Sequence, residues 1–167
     1  MSLAVHHSSE RDDWCTPEEV LTRVRLVGDI GLDPCSNDES IVGASFDFGF
    51  HDDGLNRNWA ANVRRRQLVY VNPPYGREIG YWMRKCADEA QAGADIIALV
   101  PARTDTVWFR VCWDTAASIC FWRGRLTFLG APHPAPFPSA AVLWTDSVKV
   151  RTAFRGAFWT AGRVVTL

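Results

Sequence analysis

Lysine is scarce in this chain: Lys85 and Lys149 stand against 16 arginines. Arginine, with its planar fork of donors, suits bidentate contacts to phosphates and base edges. The net charge is nonetheless −1, so no global positive excess marks a bulk polyanion binder. Arginines gather locally at Arg64-Arg65-Arg66, Arg123/Arg125 and Arg151/Arg155, which reads equally as a basic face or as solvated surface. Long hydrophobic runs are lacking too. Those present, such as Ile96 to Val100, are far too short to cross a bilayer, so no membrane contact is expected. Met1 to Asp13 holds no signal-peptide core, and residues 1–13 read as a flexible N-terminal arm. The five cysteines form no Cys-x-x-Cys pair, which argues against a disulfide framework or zinc site and for a reducing cytoplasm. The four histidines lack metal-ligand spacing, so no metal is expected. A G-x-G-x-x-G phosphate loop is missing as well.

What remains is an ordinary globular composition, 47% apolar and 22% charged. The 167 residues fit one domain, taken as residues 14–167. One segment stands out chemically: Asn72-Pro73-Pro74-Tyr75, directly after the apolar run Leu68 to Val71. Two prolines stiffen the turn and fix where its carbonyls point. Asn72 adds an acceptor oxygen, and Tyr75 a flat apolar ring for stacking. Such a turn holds a planar amino group, which points to methyl transfer onto an exocyclic or amide nitrogen.

Thr16-Pro17-Glu18-Glu19 has the form of a helix start, with Thr16 as N-cap and Pro17 in the first position. Ile30 to Leu32 reads as a strand that leads into the turn Asp33-Pro34-Cys35-Ser36-Asn37. Phe46 to Phe50 is a short strand or an irregular loop, and Gly54 to Asn62 a loop or a single helical turn. A helix is expected over Glu78 to Ala92, closed by Gly93, and a strand over Asp95 to Val100. Thr104 or Asp105 should cap a helix running through Trp113. Strands follow at Ser118–Trp122, Arg125–Leu129 and Ala140–Trp144, and an edge hairpin at Phe154–Trp159 with Val164–Leu167. The order predicts an α/β fold: a mostly parallel sheet with antiparallel C-terminal strands. Ligands in such sheets sit beyond the carboxyl ends of the strands, where Asp33 and Asn72 both fall.

The ordered series Trp14-Cys15-Thr16-Pro17, Leu32 to Ser36, and Asn72 to Tyr75 resembles the S-adenosylmethionine-dependent amino-methyltransferases. More narrowly it resembles the phage-type DNA N-6-adenine methyltransferases. Asp53-Gly54-Leu55, Asn58-Trp59, Leu99 to Thr106 with Trp108-Phe109, and Gly124 to Phe128 extend that likeness. It covers the chain from about Asp13 to Trp144. The resemblance implies a Rossmann-like fold, S-adenosylmethionine as donor, DNA as partner, and a phage or prophage product in a bacterial cytoplasm. It implies that Asp33 takes the donor's α-amino group, while the backbone of Pro34, Cys35 and Ser36 approaches the methionine part. Thr16 and Pro17, at a helix start, suit the donor carboxylate. Asp47 is assigned to the ribose diol and Asp53 to the donor adenine. Trp14 or Trp59 would line a base or donor pocket.

On the acceptor side, Asn72 and Pro73 would accept the two hydrogens of the target amino group, with Pro74 shaping the turn. Tyr75 would stack on the flipped base. Arg103, Arg123 and Arg125 are the expected DNA contacts. Departures accompany the likeness. Ser36-Asn37 stands where a glycine usually follows the acidic-Pro turn, and the stretch from Asp33 to Asn72 is shorter than two βα units. The length leaves no room for a separate target-recognition domain. Cytosine N4, RNA adenine and protein glutamine remain alternative acceptors, and a non-catalytic binding fold a further alternative.

Overall fold

One seven-stranded mixed sheet organises the computed structural model of the chain, which describes residues 14–167. The arm expected over residues 1–13 lies outside the described residues. The strands are β1 (Ile30–Asp33), β2 (Phe46–Asp47), β3 (Leu68–Val71), β4 (Asp95–Pro101), β5 (Ser118–Trp122), β6 (Ser139–Trp144) and β7 (Gly162–Thr166). Their order across the sheet is β2-β1-β3-β4-β6-β5-β7. The first four are parallel; β6 runs antiparallel to β4 and β5, and β7 antiparallel to β5. This is the expected α/β, Rossmann-like class, parallel first and antiparallel later.

The central strands read as unbroken apolar runs because both of their faces are covered. Val69 and Val71 of β3 and Ile96, Ala98 and Val100 of β4 enter one core, with Trp82, Met83 and Cys86 of α3 (Ile79–Gln91) and Phe109 of α4 (Phe109–Thr115). Leu68, Tyr70, Ile97 and Leu99 enter the other, with Val20, Leu21 and Val24 of α1 (Glu18–Val27) and Phe154 and Phe158 of α5 (Val148–Phe158). Chain order turns at β1: its successor β2 lies to one side and β3 to the other. The crevice between the carboxyl ends of β1 and β3 is therefore the switch point of the sheet.

Several expectations need correction. Arg125–Leu129 is no strand of the sheet. Leu126 and Phe128 are buried and Arg125, Thr127 and Leu129 exposed, which mimics strand alternation. Both edges of β5 are already taken by β6 and β7, so the segment forms only an isolated bridge between Leu129 and Cys15. Phe154–Trp159 is not half of a hairpin: Phe154 to Phe158 closes α5, whose first turn Ser147 caps by accepting the Val150 N–H at 3.3 Å. Phe154, Ala157 and Phe158 follow helical spacing, not alternation. Only the last strand of that pair exists, as β7. Pro17, not Thr16, holds the N-cap of α1, and it makes no side-chain cap.

The helix expected from Thr104 or Asp105 starts later, at Phe109, whose N–H is received by Thr106 Oγ1 at 3.4 Å. The middle is built from β2, 3-10 turns at Phe50–Asp52 and Gly54–Asn56, and the short α2 (Trp59–Asn62). Trp59 lines no pocket mouth. It is fully buried, and its indole N–H donates to the Gly54 carbonyl at 2.7 Å.

The Phe154 ring stacks on Phe158 with centroids 4.4 Å apart. Phe154→Ala is expected to cost about 3–5 kcal/mol in a denaturant melt. Trp159→Ala, at a side chain 70% exposed, is expected to cost under about 0.5 kcal/mol.

Candidate active site

Three consecutive residues strap the carboxyl end of the sheet. The Trp14 carbonyl accepts a hydrogen bond from the Asn72 side-chain Nδ2. The Cys15 carbonyl accepts from the Leu129 N–H at 2.9 Å, and its thiol points at Asn37 Oδ1 at 3.4 Å. The Thr16 and Tyr70 hydroxyls meet at 2.9 Å, both buried. Thr16 is thus engaged with β3 instead of capping α1.

Because the Trp14 carbonyl claims the Asn72 nitrogen, Asn72 Oδ1 faces the other way, where the Tyr75 hydroxyl donates to it at 2.7 Å. The same hydroxyl lies 3.2 Å from the Leu99 carbonyl of β4. Burial holds the Tyr75 phenol well above its ordinary pKa, so it stays a neutral donor. An aspartate at position 72 would set a carboxylate oxygen against the Trp14 carbonyl, two acceptors with no proton between them. That contact accounts for asparagine here.

Around Tyr75 stands an aromatic wall. Its ring meets Phe137 edge-on at 5.5 Å and Phe128 at 6.0 Å, while Trp14 lies 5.1 Å from Phe128 and 5.7 Å from Phe137. Phe128 and Phe137 were not singled out from sequence. Both come from the long β5–β6 connection, where nothing in local spacing ties them to Trp14 or Tyr75.

Asp33, at the end of β1, is 4% exposed. Burial pushes its carboxyl up to about 6, against hydrogen bonds from the Cys35 N–H at 3.1 Å and the Ser40 hydroxyl at 3.4 Å. No ion pair among the described residues reaches it. Asp47 is its register partner on β2, and that second negative charge raises Asp33 further. Burial and the Asp33 charge also push the Cys35 thiol up, while the Asn72 backbone N–H pulls it down, so the β1 and β3 ends touch.

A narrow cleft of about 40 Å³ joins the two halves. Trp14, Thr16, Asp33, Cys35, Asn72 and Pro74 line it, with Asn37, Ser40 and Val42, which sequence reading had not selected. Pro17, Pro34, Ser36, Pro73 and Tyr75 are chain neighbours of lining residues and Asp47 pairs with Asp33 from β2, but none of the six lines the cleft itself. Ser36 donates its N–H to the Phe48 carbonyl at 3.0 Å, tying the turn after β1 to β2's exit. Asp53 stands apart. It adopts a left-handed backbone (φ 50°) and accepts from Asn56 Nδ2 at 2.6 Å, in a groove with Tyr81 and Arg84. Its neighbour Gly54 is held so close to the Asp33-Pro34 turn that a Cβ there would collide with the Pro34 carbonyl oxygen. Arg103, Arg123 and Arg125 are exposed on the loops after β4 and β5, at this same end of the sheet, with no side-chain partner among the described residues. Those residues hold no cluster of metal-binding side chains and no helix long and apolar enough to cross a membrane.

Sequence comparison meets this geometry over most of the chain. A family model described as DNA N-6-adenine-methyltransferase (Dam) matches residues 4–141. The chain belongs to the Dam family. A DNA N-6-adenine-methyltransferase of Escherichia phage T1 is 30% identical over 118 residues, covering 70% of this chain and 47% of the phage protein. The chain therefore spans about half the length of that relative. No solved structure matches it.

Two substitutions probe how this Dam-family chain builds its cleft. Gly54→Ala is expected to push the Pro34 turn aside and cost about 1–3 kcal/mol in a chemical melt. Asp33 binds its proton more tightly folded than unfolded, so it costs stability as pH rises through about 4 to 6 and keeps that cost above. Asp33→Asn should therefore raise stability at pH 7 by on the order of 2 kcal/mol and give no gain near pH 4. Melting temperatures of the two proteins across that range check it.

Proposed function

We propose that the chain transfers the methyl group of S-adenosylmethionine to the N6 amino group of adenine in DNA, with the base flipped out of its stack. One observation carries the reading. A buried carboxylate without a cation, Asp33, and a fixed amide, Asn72, line the same cleft at the switch point.

The residues fit the donor. S-adenosylmethionine supplies a methyl group on a positively charged sulfur and carries an α-ammonium besides. Asp33, buried without a compensating cation, suits the ammonium. Asp47 beside it suits the ribose diol, and the exposed amides at the start of α1, next to Thr16 and Pro17, suit the carboxylate. The backbone of Pro34, Cys35 and Ser36 borders the methionine part and Trp14 closes the cleft above it. Asp53, in the separate groove beyond the Pro34 turn, meets the donor adenine's amino group only where the intervening turns part. The cleft is too narrow for a nucleoside in its present form, so the turns that border it part when either substrate enters.

On the acceptor side, Asn72 Oδ1 and the Pro73 carbonyl accept the two N–H hydrogens of the target. That draws the nitrogen lone pair out of conjugation and aims it across the cleft. Pro74 keeps the turn rigid. Tyr75, backed by the buried Phe128 and by Phe137, offers stacking surface to the extruded base. Asn72 is neutral and takes no proton, so the proton leaves to water after transfer. Arg103, Arg123 and Arg125 hold the DNA backbone at the rim.

Labelled donor and unmethylated DNA test this directly. Asn72→Ala is expected to lower turnover about 100-fold or more while donor affinity stays within a few-fold. Asp33→Asn should do the reverse, weakening the donor. Nucleoside digestion should find the label in N6-methyladenine. Label in cytosine, RNA or glutamine would move the activity to that acceptor, and no label in DNA of any sequence, with the donor bound, would refute catalysis on DNA.

A further inference from the structure

Val107 is 89% exposed, on the turn that leaves the carboxyl end of β4. β4 pairs directly with β3, the strand that ends in Asn72, and its Leu99 carbonyl lies beside the Tyr75 hydroxyl. Phe50, the most exposed aromatic, instead follows β2, two strands from β3 on the donor side. Val107 is thus an apolar side chain held in water on the turn that follows the strand paired with β3.

The turn that carries it is braced. Thr106 reaches the Arg103 carbonyl with its N–H at 3.1 Å and its hydroxyl at 2.7 Å, and its oxygen receives the Phe109 N–H. The Pro138 carbonyl holds the Ala102 N–H at 2.7 Å. Behind the tip, Phe109 is fully buried and Trp108 packs against α3 at Gly80. Arg103 is exposed on the same turn, and Arg123 and Arg125 on the next loop. An apolar point on a stiff base, with Arg103 on its own turn beyond Asp105 and Arg123 and Arg125 on a loop at the same end of the sheet, matches a duplex: phosphates for the arginines, stacked bases for the point.

We propose that Val107 is a wedge that enters the duplex and fills the gap left by the flipped adenine. The proposal rests on the DNA-methylation reading above. Extruding a base costs a few kcal/mol of stacking and pairing in a duplex and far less in a single strand. A side chain that occupies the gap lowers that cost only where the gap exists. Val107 is thus a positioning residue for duplex substrate alone.

The test uses an unmethylated plasmid fragment, offered as duplex and as separated strands. Val148→Ala is the control, at a valine 73% exposed at the start of α5, the opposite end of the sheet. Val107→Ala is expected to lose on the order of ten-fold in kcat/KM on duplex and less than about two-fold on separated strands. The control should match the parent protein on both. Equal activity of Val107→Ala and parent on duplex would overturn the wedge, as would equal loss on both substrates. A parent protein active only on separated strands would also overturn it while leaving adenine methylation intact. No methylation of either substrate would overturn both readings.

Discussion

The hydrogen bond from the Asn72 amide to the Trp14 carbonyl is the contact on which the candidate site turns. It fixes which end of the amide faces the Tyr75 hydroxyl, and it does so from a segment remote in sequence. The same strap fastens β3 through Thr16 and Tyr70, the turn after β1 through Cys15 and Asn37, and the β5–β6 connection through Cys15 and Leu129. Three adjacent residues thus tie three separate turns into one cleft. Backbone and buried hydroxyl groups make most of these ties, so the geometry depends less on side-chain freedom than a cleft lined by long polar residues would.

The parallel half of the fold was legible in the sequence because its physics is local. Leu68 to Val71 and Asp95 to Val100 are apolar on both faces, and Glu78 to Ala92 repeats its apolar residues at helical spacing, so strand, helix and strand could be read without tertiary knowledge. Reading failed where tertiary pairing decides. Leu126 and Phe128 alternate as a strand does, yet both edges of the preceding strand β5 were already taken. Phe154, Ala157 and Phe158 looked like strand residues because aromatics favour sheets, and the core behind α1 overrode that preference. In the site, Asn72 and Asp33 carried motif signals. Phe137 and Ser40 did not, and Phe128 did so only as the end of the Gly124-to-Phe128 likeness, with no site role attached to it.

The β1 side of the cleft is short on secondary structure. Between β1 and β3 the chain spends two residues on β2 and otherwise forms 3-10 turns and one helical turn. Rigidity there comes from close approach instead. Gly54 abuts the Pro34 carbonyl, Trp59 anchors the Gly54 carbonyl, and Glu89 of α3 accepts the Ala60 N–H at 2.8 Å. A glycine from a neighbouring turn is what lets the chain pack so closely against the Asp33-Pro34 turn. The uncompensated charge of Asp33 is the corresponding thermodynamic cost, a carboxylate kept dry where a fully folded apolar site would hold none.

The Tyr75–Asn72 hydrogen bond has a consequence for selectivity under the proposed reading. Asn72 Oδ1 accepts the Tyr75 hydroxyl before any base arrives, and where an entering amino group displaces that phenol it exchanges one neutral hydrogen bond for another. Such an exchange gives little ground-state affinity. Discrimination then falls to what differs once the nitrogen begins to carry positive charge, when an amide oxygen gains over a displaced phenol. A site wired in this way holds its acceptor loosely and rewards it only on the way to product.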